Sequence, residues 1–295
     1  MSWFWRELEK LEGRWLRKVH VLRAMAVALV ILGLGFMLLR GCAPGATGLA
    51  RHELQLSCAT LKGSWRERDG LADDVARWHG SATVITRKDD FLVLFTNAHC
   101  LGLESLAMAD LFSDGVPEIA AYSMEIAFST KVARVLKMGI ARDASVDAAM
   151  LVVDARGLRE DQDYKVAPVP RALQQYLTVG REVAAVGNPL EPELFERTVT
   201  FGRISALREL VPGVRMIQHD GLINPGNSGG PLFVATDRGW FCVGINAAAA
   251  RDGVGLGLAL AIRDCLKLEY AWAEPDRWGA KRLIQEVYGQ RCIVP

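Results

Sequence analysis

Apolar residues in this chain come in short bursts. SATVIT (81–86), FLVLFT (91–96), EIAFST (125–130), AAMLVVD (148–154) and EVAAVG (182–187) are set apart by Gly, Pro and Asp clusters. TVTFGRIS (198–205), RMIQHD (215–220), PLFV (231–234), WFCVGIN (240–246) and GLGLAL (255–260) continue the series. Many short β-rich runs with turn signals between them predict an all-β sandwich or barrel. Helical periodicity is scarce before residue 261. There AIRDCLKLEYAWA (261–273) and DRWGAKRLIQEVYGQ (276–290) flank the Glu274–Pro275 break, and both are expected to be helical.

One stretch breaks the alternation. AMAVALVILGLGFMLL (24–39) carries no charge. As a helix it covers roughly 24 Å, short but usable against a bilayer core of about 30 Å, with Arg23 and Arg40 able to snorkel at its ends. Arg6, Lys10, Arg14, Arg17, Lys18 and Arg23 precede it, and only Arg40 and Arg51 follow closely. The positive-inside rule then places the N-terminus in the cytoplasm and the rest of the chain outside it. Leu8, Leu11, Trp15 and Val19 share a helical spacing, so residues 1–23 can lie as an amphipathic segment at the membrane interface. A cleaved signal peptide and a lipoprotein acylated at Cys42, in LRGC (39–42), are the alternatives to an uncleaved anchor. The expected organisation is therefore a cytoplasmic segment (1–23), a transmembrane helix (24–40), a linker and lead-in (41–75), a β domain (76–262) and a helical extension (263–295).

Composition narrows the function. With 35 Lys and Arg against 34 Asp and Glu, the net charge of +1 gives no reason to expect nucleic acid as a partner. Six widely spread cysteines include no C-x-x-C pair, so neither a zinc site nor a thioredoxin motif is indicated. No metal or other cofactor is called for.

The densest punctuation is NPGNSGGPLF (224–233), where three glycines and two prolines surround Ser228. A serine hydroxyl is a weak nucleophile unless an imidazole takes its proton and a third group orients that imidazole. Glycines on both sides of Ser228 would let the N–H groups of Gly226 and Ser228 converge on a developing oxyanion. Among the five histidines, only His99, in FLVLFTNAHCL (91–101), sits where an apolar strand gives way to a polar turn. The acid candidate is Asp147, immediately before an apolar run, with Asp143 and Asp154 as rivals.

TNAHC (96–100), DAAML (147–151) and GNSGGPL (226–232), in that order, resemble a chymotrypsin-fold serine protease. VGNPL (186–190), TVTFGRISAL (198–207), INPGNSGGPL (223–232) and VGIN followed by LGLALAI (256–262) are similar to segments of the HtrA-like (Deg-type) proteases. The resemblance implies two six-stranded antiparallel β-barrels with the active site between them. It implies Ser228 as nucleophile, His99 as general base and Asp147 as orienting acid, with Gly226 and Ser228 forming the oxyanion hole. Leu222, six residues before Ser228, takes the place of the substrate-pocket floor, with Gly244, Ile245, Asn246 and Ala247 in its wall. The partners the resemblance implies are polypeptide substrates; the membrane partner is expected from the apolar stretch 24–39 and its flanking charges, and the oligomeric state is left open. A catalytically inactive peptide-binding chaperone or scaffold, and an esterase, are the competing readings.

The chain departs from that pattern in three places. Asn227 replaces the aspartate that, in digestive-type members, pairs with a freshly cut N-terminus, so activation by propeptide cleavage is not expected. Residues 263–295 leave no room for the PDZ domain usual in HtrA-like proteins. Cys100 follows His99 as in many secreted relatives, but 80–95 holds no cysteine to pair with it. Cys58 with Cys100 and Cys265 with Cys292 are the remaining candidate pairs, and Cys242 is expected to be a buried thiol. Leu222 leaves no carboxylate for a basic substrate residue, so cleavage is expected after Val, Ala, Leu, Ile or Thr.

Overall fold

The structure is a computed structural model, and it describes residues 47–67, 75–103, 119–190, 192–211, 213–249 and 256–288. The expected cytoplasmic segment, transmembrane helix and acylated Cys42 lie outside these residues. No helix among the described residues is long and apolar enough to cross a membrane.

Two closed barrels account for almost all of the strands. The first is formed by β1 (Cys58–Glu67), β2 (Val75–Lys88), β3 (Phe91–Thr96), β4 (Ile119–Phe128), β5 (Lys131–Ala141) and β6 (Ala149–Asp154). Its strands run in the order β5-β4-β1-β2-β3-β6, and β5 closes the ring by pairing with β6. The second comprises β7 (Glu182–Gly187), β8 (Thr198–Val211), β9 (Val214–His219), β10 (Pro231–Thr236), β11 (Gly239–Ala249) and β12 (Gly257–Ala261). It closes in the order β10-β11-β12-β9-β8-β7, and every pairing in both rings is antiparallel. Closure leaves neither ring with an unpaired strand edge. Each barrel has its own apolar interior, one around Leu61, Leu94, Ile126 and Leu151, the other around Val183, Ile217, Leu232 and Val243. The two six-stranded barrels expected from the sequence are therefore present.

The domain begins earlier than expected. The lead-in assigned to 41–75 contains β1, which joins β2 to β4 and buries Ala59 and Leu61. Its alternation is interrupted by Gly63 and Ser64, so no apolar run marks it. Upstream, Leu49 exchanges two backbone hydrogen bonds with Trp240 of the second barrel, both at 2.9 Å.

The C-terminal expectation needs a correction. Only Ile262–Cys265 (α1) of the segment 261–273 is an α-helix, and Tyr270–Ala273 is a strand, β13, paired with β5. The pattern there alternates: Ala271 and Ala273 are buried, while Tyr270 and Trp272 are only partly covered. Gly139 of β5 makes this docking possible, because a β-carbon there would press on the Trp272 indole. Arg277–Leu283 (α2) is helical as expected, with Asp276 accepting a hydrogen bond from the Gly279 N–H at 2.7 Å as its N-cap.

The start of the C-terminal segment is tied to the second barrel by an ion pair. Asp264, almost fully buried, accepts from Arg215 Nε at 2.7 Å and from Nη2 at 3.0 Å. Burial works against the charged carboxylate, but the Arg215 hydrogen bonds outweigh it and hold the Asp264 pKa below the ordinary value. We expect Asp264→Ala, which strands Arg215 without its partner, to cost about 3 kcal/mol in denaturant unfolding. The same linkage makes stability fall in the wild type as pH drops through the depressed Asp264 pKa, and this component should vanish in the variant.

Candidate active site

Each candidate residue is placed by a short irregular segment leaving a barrel strand. After β3 the chain makes one turn of 3-10 helix at His99–Leu101, stopped by Gly102 at φ +70. The Trp78 indole holds this turn by donating to the Cys100 carbonyl at 2.9 Å. Side chains at Gly63 and Gly102 would occupy the space of that indole.

Asp147 lies between the turn at 142–146 and β6. Its Oδ2 is 2.7 Å from His99 Nδ1, and its Oδ1 accepts the His99 backbone N–H at 3.0 Å. Asn97 donates to the Asp147 carbonyl at 2.9 Å. The rival carboxylates are engaged elsewhere. Asp143 accepts from the Ser145 N–H at 2.9 Å within its own turn, and Asp154 accepts from Arg156 Nε at 2.9 Å. Of the three, Asp147 is the one beside His99. Burial disfavours the His99 imidazolium, yet the Asp147 hydrogen bond and the Cys100 sulfur raise its pKa above the ordinary value.

Ser228 stands on the turn between β9 and β10, and that turn is fastened to the first barrel. The Ser228 carbonyl accepts the Ser81 N–H at 2.8 Å, and Ser81 Oγ donates to the Gly226 carbonyl at 2.7 Å. Thr83 Oγ1 donates to the Gly229 carbonyl at 2.9 Å. From the second barrel, the Gly229 N–H donates to Asn246 O at 2.8 Å, and the Asn246 N–H to Gly230 O at 2.9 Å. Gly226 (φ +97) and Gly229 (φ +88) both adopt the left-handed region that favours glycine. Among the described residues, the N–H groups of Gly226 and Ser228 have no backbone acceptor. Ser228 Oγ donates to the Ala247 carbonyl at 3.2 Å, and His99 Nε2 faces Cys100 Sγ at 3.5 Å.

The residues expected around the pocket divide into two groups. Ala247 lies at Ser228. Gly244, Ile245 and Asn246 are enclosed in the sheet behind it, where Asn246 Nδ2 reaches the Val186 and Pro231 carbonyls at 3.3 Å. Asn246 also ties the sheet to the Ser228 turn through Gly229 and Gly230. Leu222, expected at the floor, is 51% exposed, while the adjacent Ile223 is 8% exposed and packs with the barrel core. The turn after β9 points Leu222 outward, so Ile223 is the buried apolar side chain at this place.

No apolar or motif signal distinguishes Ser81, Thr83 and Trp78; their importance comes from contacts across the chain. Cys58 and Cys100 are both unbridged and buried, so this candidate pair does not form. Cys265 is likewise an unbridged, buried thiol, and burial pushes its pKa up to about 12. Cys242 is buried, as expected, and donates to the Gly244 carbonyl.

Comparison with known proteins agrees with this architecture. A trypsin-like peptidase domain model matches residues 80–245, more than half of the chain. The chain belongs to the trypsin-like peptidase domain family. It is 39% identical over 168 residues to a putative serine protease HhoB of a Synechocystis species, covering 52% of this chain and 36% of that protein. It is 37% identical over 157 residues to a probable periplasmic serine endoprotease, DegP-like, of Hahella chejuensis, covering 50% and 30%. The matched region thus spans about a third of these relatives' length. A solved HtrA-type protease, AlgW with a decapeptide, has a TM-score of 0.48 at 22% identity, covering 73% of this chain and 63% of that one.

The gap opposite Cys100 yields a test. A β-carbon on Gly80 would lie 2.9 Å from Cys100 Sγ and 3.4 Å from its Cβ, at the short end of disulfide geometry, where Cβ atoms are about 3.5–4.5 Å apart. Gly80→Cys expressed in an oxidising compartment should form a bridge to Cys100, seen as a two-dalton mass loss and a higher melting temperature. By loop closure the bridge should stabilise the fold by about 3 kcal/mol.

Proposed function

We propose that this chain is an exported serine endopeptidase, held at the membrane by residues 24–40, that cuts unfolded or exposed polypeptide after small or aliphatic residues. The single observation that carries this reading is the contact between His99 and Asp147 in a trypsin-like domain whose Ser228 turn is fastened to β2 of the same barrel. Asp147 holds the His99 Nδ1–H, which leaves Nε2 to take the Ser228 Oγ proton as the hydroxyl attacks a substrate carbonyl. The oxyanion that forms accepts from the Gly226 and Ser228 N–H groups. Collapse of the tetrahedral intermediate gives an acyl-enzyme, with His99 returning the proton to the leaving amine. Water, activated in the same way, releases the new C-terminus. In the unliganded arrangement the hydroxyl rests on the Ala247 carbonyl, so substrate binding includes a rotation of Ser228 toward His99.

The pocket reading rests on Ala247, Ile223 and the outward Leu222, which place no carboxylate beside the nucleophile. A charged side chain entering would lose its hydration without a partner, whereas burial favours a Val or Leu side chain by about 1.5–3 kcal/mol. Export is supported by the periplasmic relatives and by the charge pattern around 24–39.

A serine-reactive fluorophosphonate should label the wild type and fail on Ser228→Ala. Ser228→Ala, His99→Ala and Asp147→Asn should each lower kcat about 10⁴-fold, without additivity. Because His99 acts when neutral and its pKa is raised, kcat/KM should climb with pH along a limb lying above 6.5. Removing the carboxylate in Asp147→Asn should move that limb down. Unlabelled wild-type protein would favour the inactive peptide-binding reading.

A further inference from the structure

His219 is the most unusual side chain near the site. It is fully buried, and neither ring nitrogen has a hydrogen-bond partner. A buried polar group without a partner costs free energy that an apolar residue of the same size would not, and a polar ligand would relieve that cost. Its place in the fold indicates which one.

Ser228 Oγ donates to Ala247 O near the end of β11, where Ala249 pairs with Gly257 of β12. Gly257 in turn pairs with His219, from which the chain runs through Gly221 and Ile223 back to Ser228. These pairings lead from Ser228 and Ala247 across β11 and β12 to His219 on β9. The ring lies between two glycines. A β-carbon on Gly257 would be 2.7 Å from His219 Nε2, and one on Gly221 would be 3.1 Å from Nδ1. The same position on Gly257 is 2.8 Å from Ile223 Cγ1, so Ile223 stands beside the imidazole.

We propose that His219 is a specificity-determining residue at the base of the substrate side-chain pocket, reached when Ile223 rotates aside, and that it recognises the carboxamide of a glutamine preceding the cut bond. This rests on the reading of Ser228 as nucleophile and deepens it. Burial pushes the His219 pKa down to about 4, against the pull of Asp220, so the ring is neutral at physiological pH. A neutral imidazole offers one donor and one acceptor, which the N–H and C=O of a carboxamide complement. Two strand spacings separate β11 from β9, roughly 9–10 Å, so the short Ser, Thr and Asn side chains fall short. Glu, Lys and Arg would bring an unpaired charge against a neutral ring. The apolar upper pocket still accepts aliphatic residues, and His219 adds one polar residue to that set.

The test uses Ser228→Ala of the full chain, so that binding is read without turnover. Peptides identical except for Gln, Leu or Glu at the residue before the cut are titrated against it and against Ser228→Ala combined with His219→Leu. We expect Gln to bind at least as well as Leu in the first protein, Glu to bind poorly, and the Gln-to-Leu affinity ratio to drop about tenfold with His219→Leu. The His219 ring ¹⁵N resonances should shift on adding the Gln peptide and not the Leu peptide. An unchanged ratio, or ring resonances indifferent to Gln, overturns the proposal. If His219→Leu does not fold, Ile223→Ala decides: uncovering the ring should raise the Gln-to-Leu ratio, and a fall or no change overturns the proposal. Failure of the protease reading would appear separately, as wild-type protein that a fluorophosphonate does not label.

Discussion

The contact between Gly229 and the Ser81 carbonyl is the constraint on which the site depends. Gly229 sits at φ +88, and any β-carbon there would overlap that carbonyl oxygen. The glycine lets the Ser228 turn of the second barrel press directly on β2 of the first. The Ser81 N–H, Ser81 Oγ and Thr83 Oγ1 then each bind one carbonyl of the turn. Since β2 pairs with β3, and His99 follows β3 by a few residues, the seam fixes the serine with respect to the histidine. Asn188 strengthens it by donating from N and from Nδ2 to Ser81 Oγ at 2.9 and 3.0 Å.

The same seam explains the free thiol. Cys100 Sγ lies between His99 Nε2 and the Ser228 carbonyl, 3.5 Å from each, and Gly80 leaves its other side open. A bridge from Cys100 to β2 would hold the His99 turn covalently. In this chain, hydrogen bonds from Trp78 to the Cys100 carbonyl and from Asn97 to the Asp147 carbonyl hold it instead. The His99 turn therefore does not depend on the redox state of the compartment.

Much of this was legible in the sequence, for reasons that differ between elements. Strands β3, β6, β7 and β10 are dense apolar runs, because both of their faces meet protein. Ser228 and His99 were marked by glycine punctuation and by a strand giving way to a turn, which are local signals. Asp147 was separated from Asp143 and Asp154 in the sequence only by the resemblance, since no local pattern marks it; the structure adds that the other two carboxylates are engaged within their own turns. β1, β5 and β13 were not legible, because their buried positions alternate with polar or glycine residues and their pairing is set by distant partners. For Leu222, spacing from Ser228 gives a position along the turn but not the direction of the side chain, which is 51% exposed. Ser81 and His219 carry no motif; one is defined by what it binds across the seam, the other by what it lacks.

The most direct test of the seam is the rate at which a fluorophosphonate labels Ser228 in Ser81→Ala. The substitution removes the hydrogen bond to the Gly226 carbonyl and the acceptor for Asn188, but touches neither Ser228, His99 nor Asp147. If the seam positions the nucleophile turn, labelling should slow by about 10²-fold, the size of effect seen when one oxyanion donor is lost, with near-ultraviolet circular dichroism unchanged. Labelling of Ser81→Ala at the wild-type rate would contradict the account.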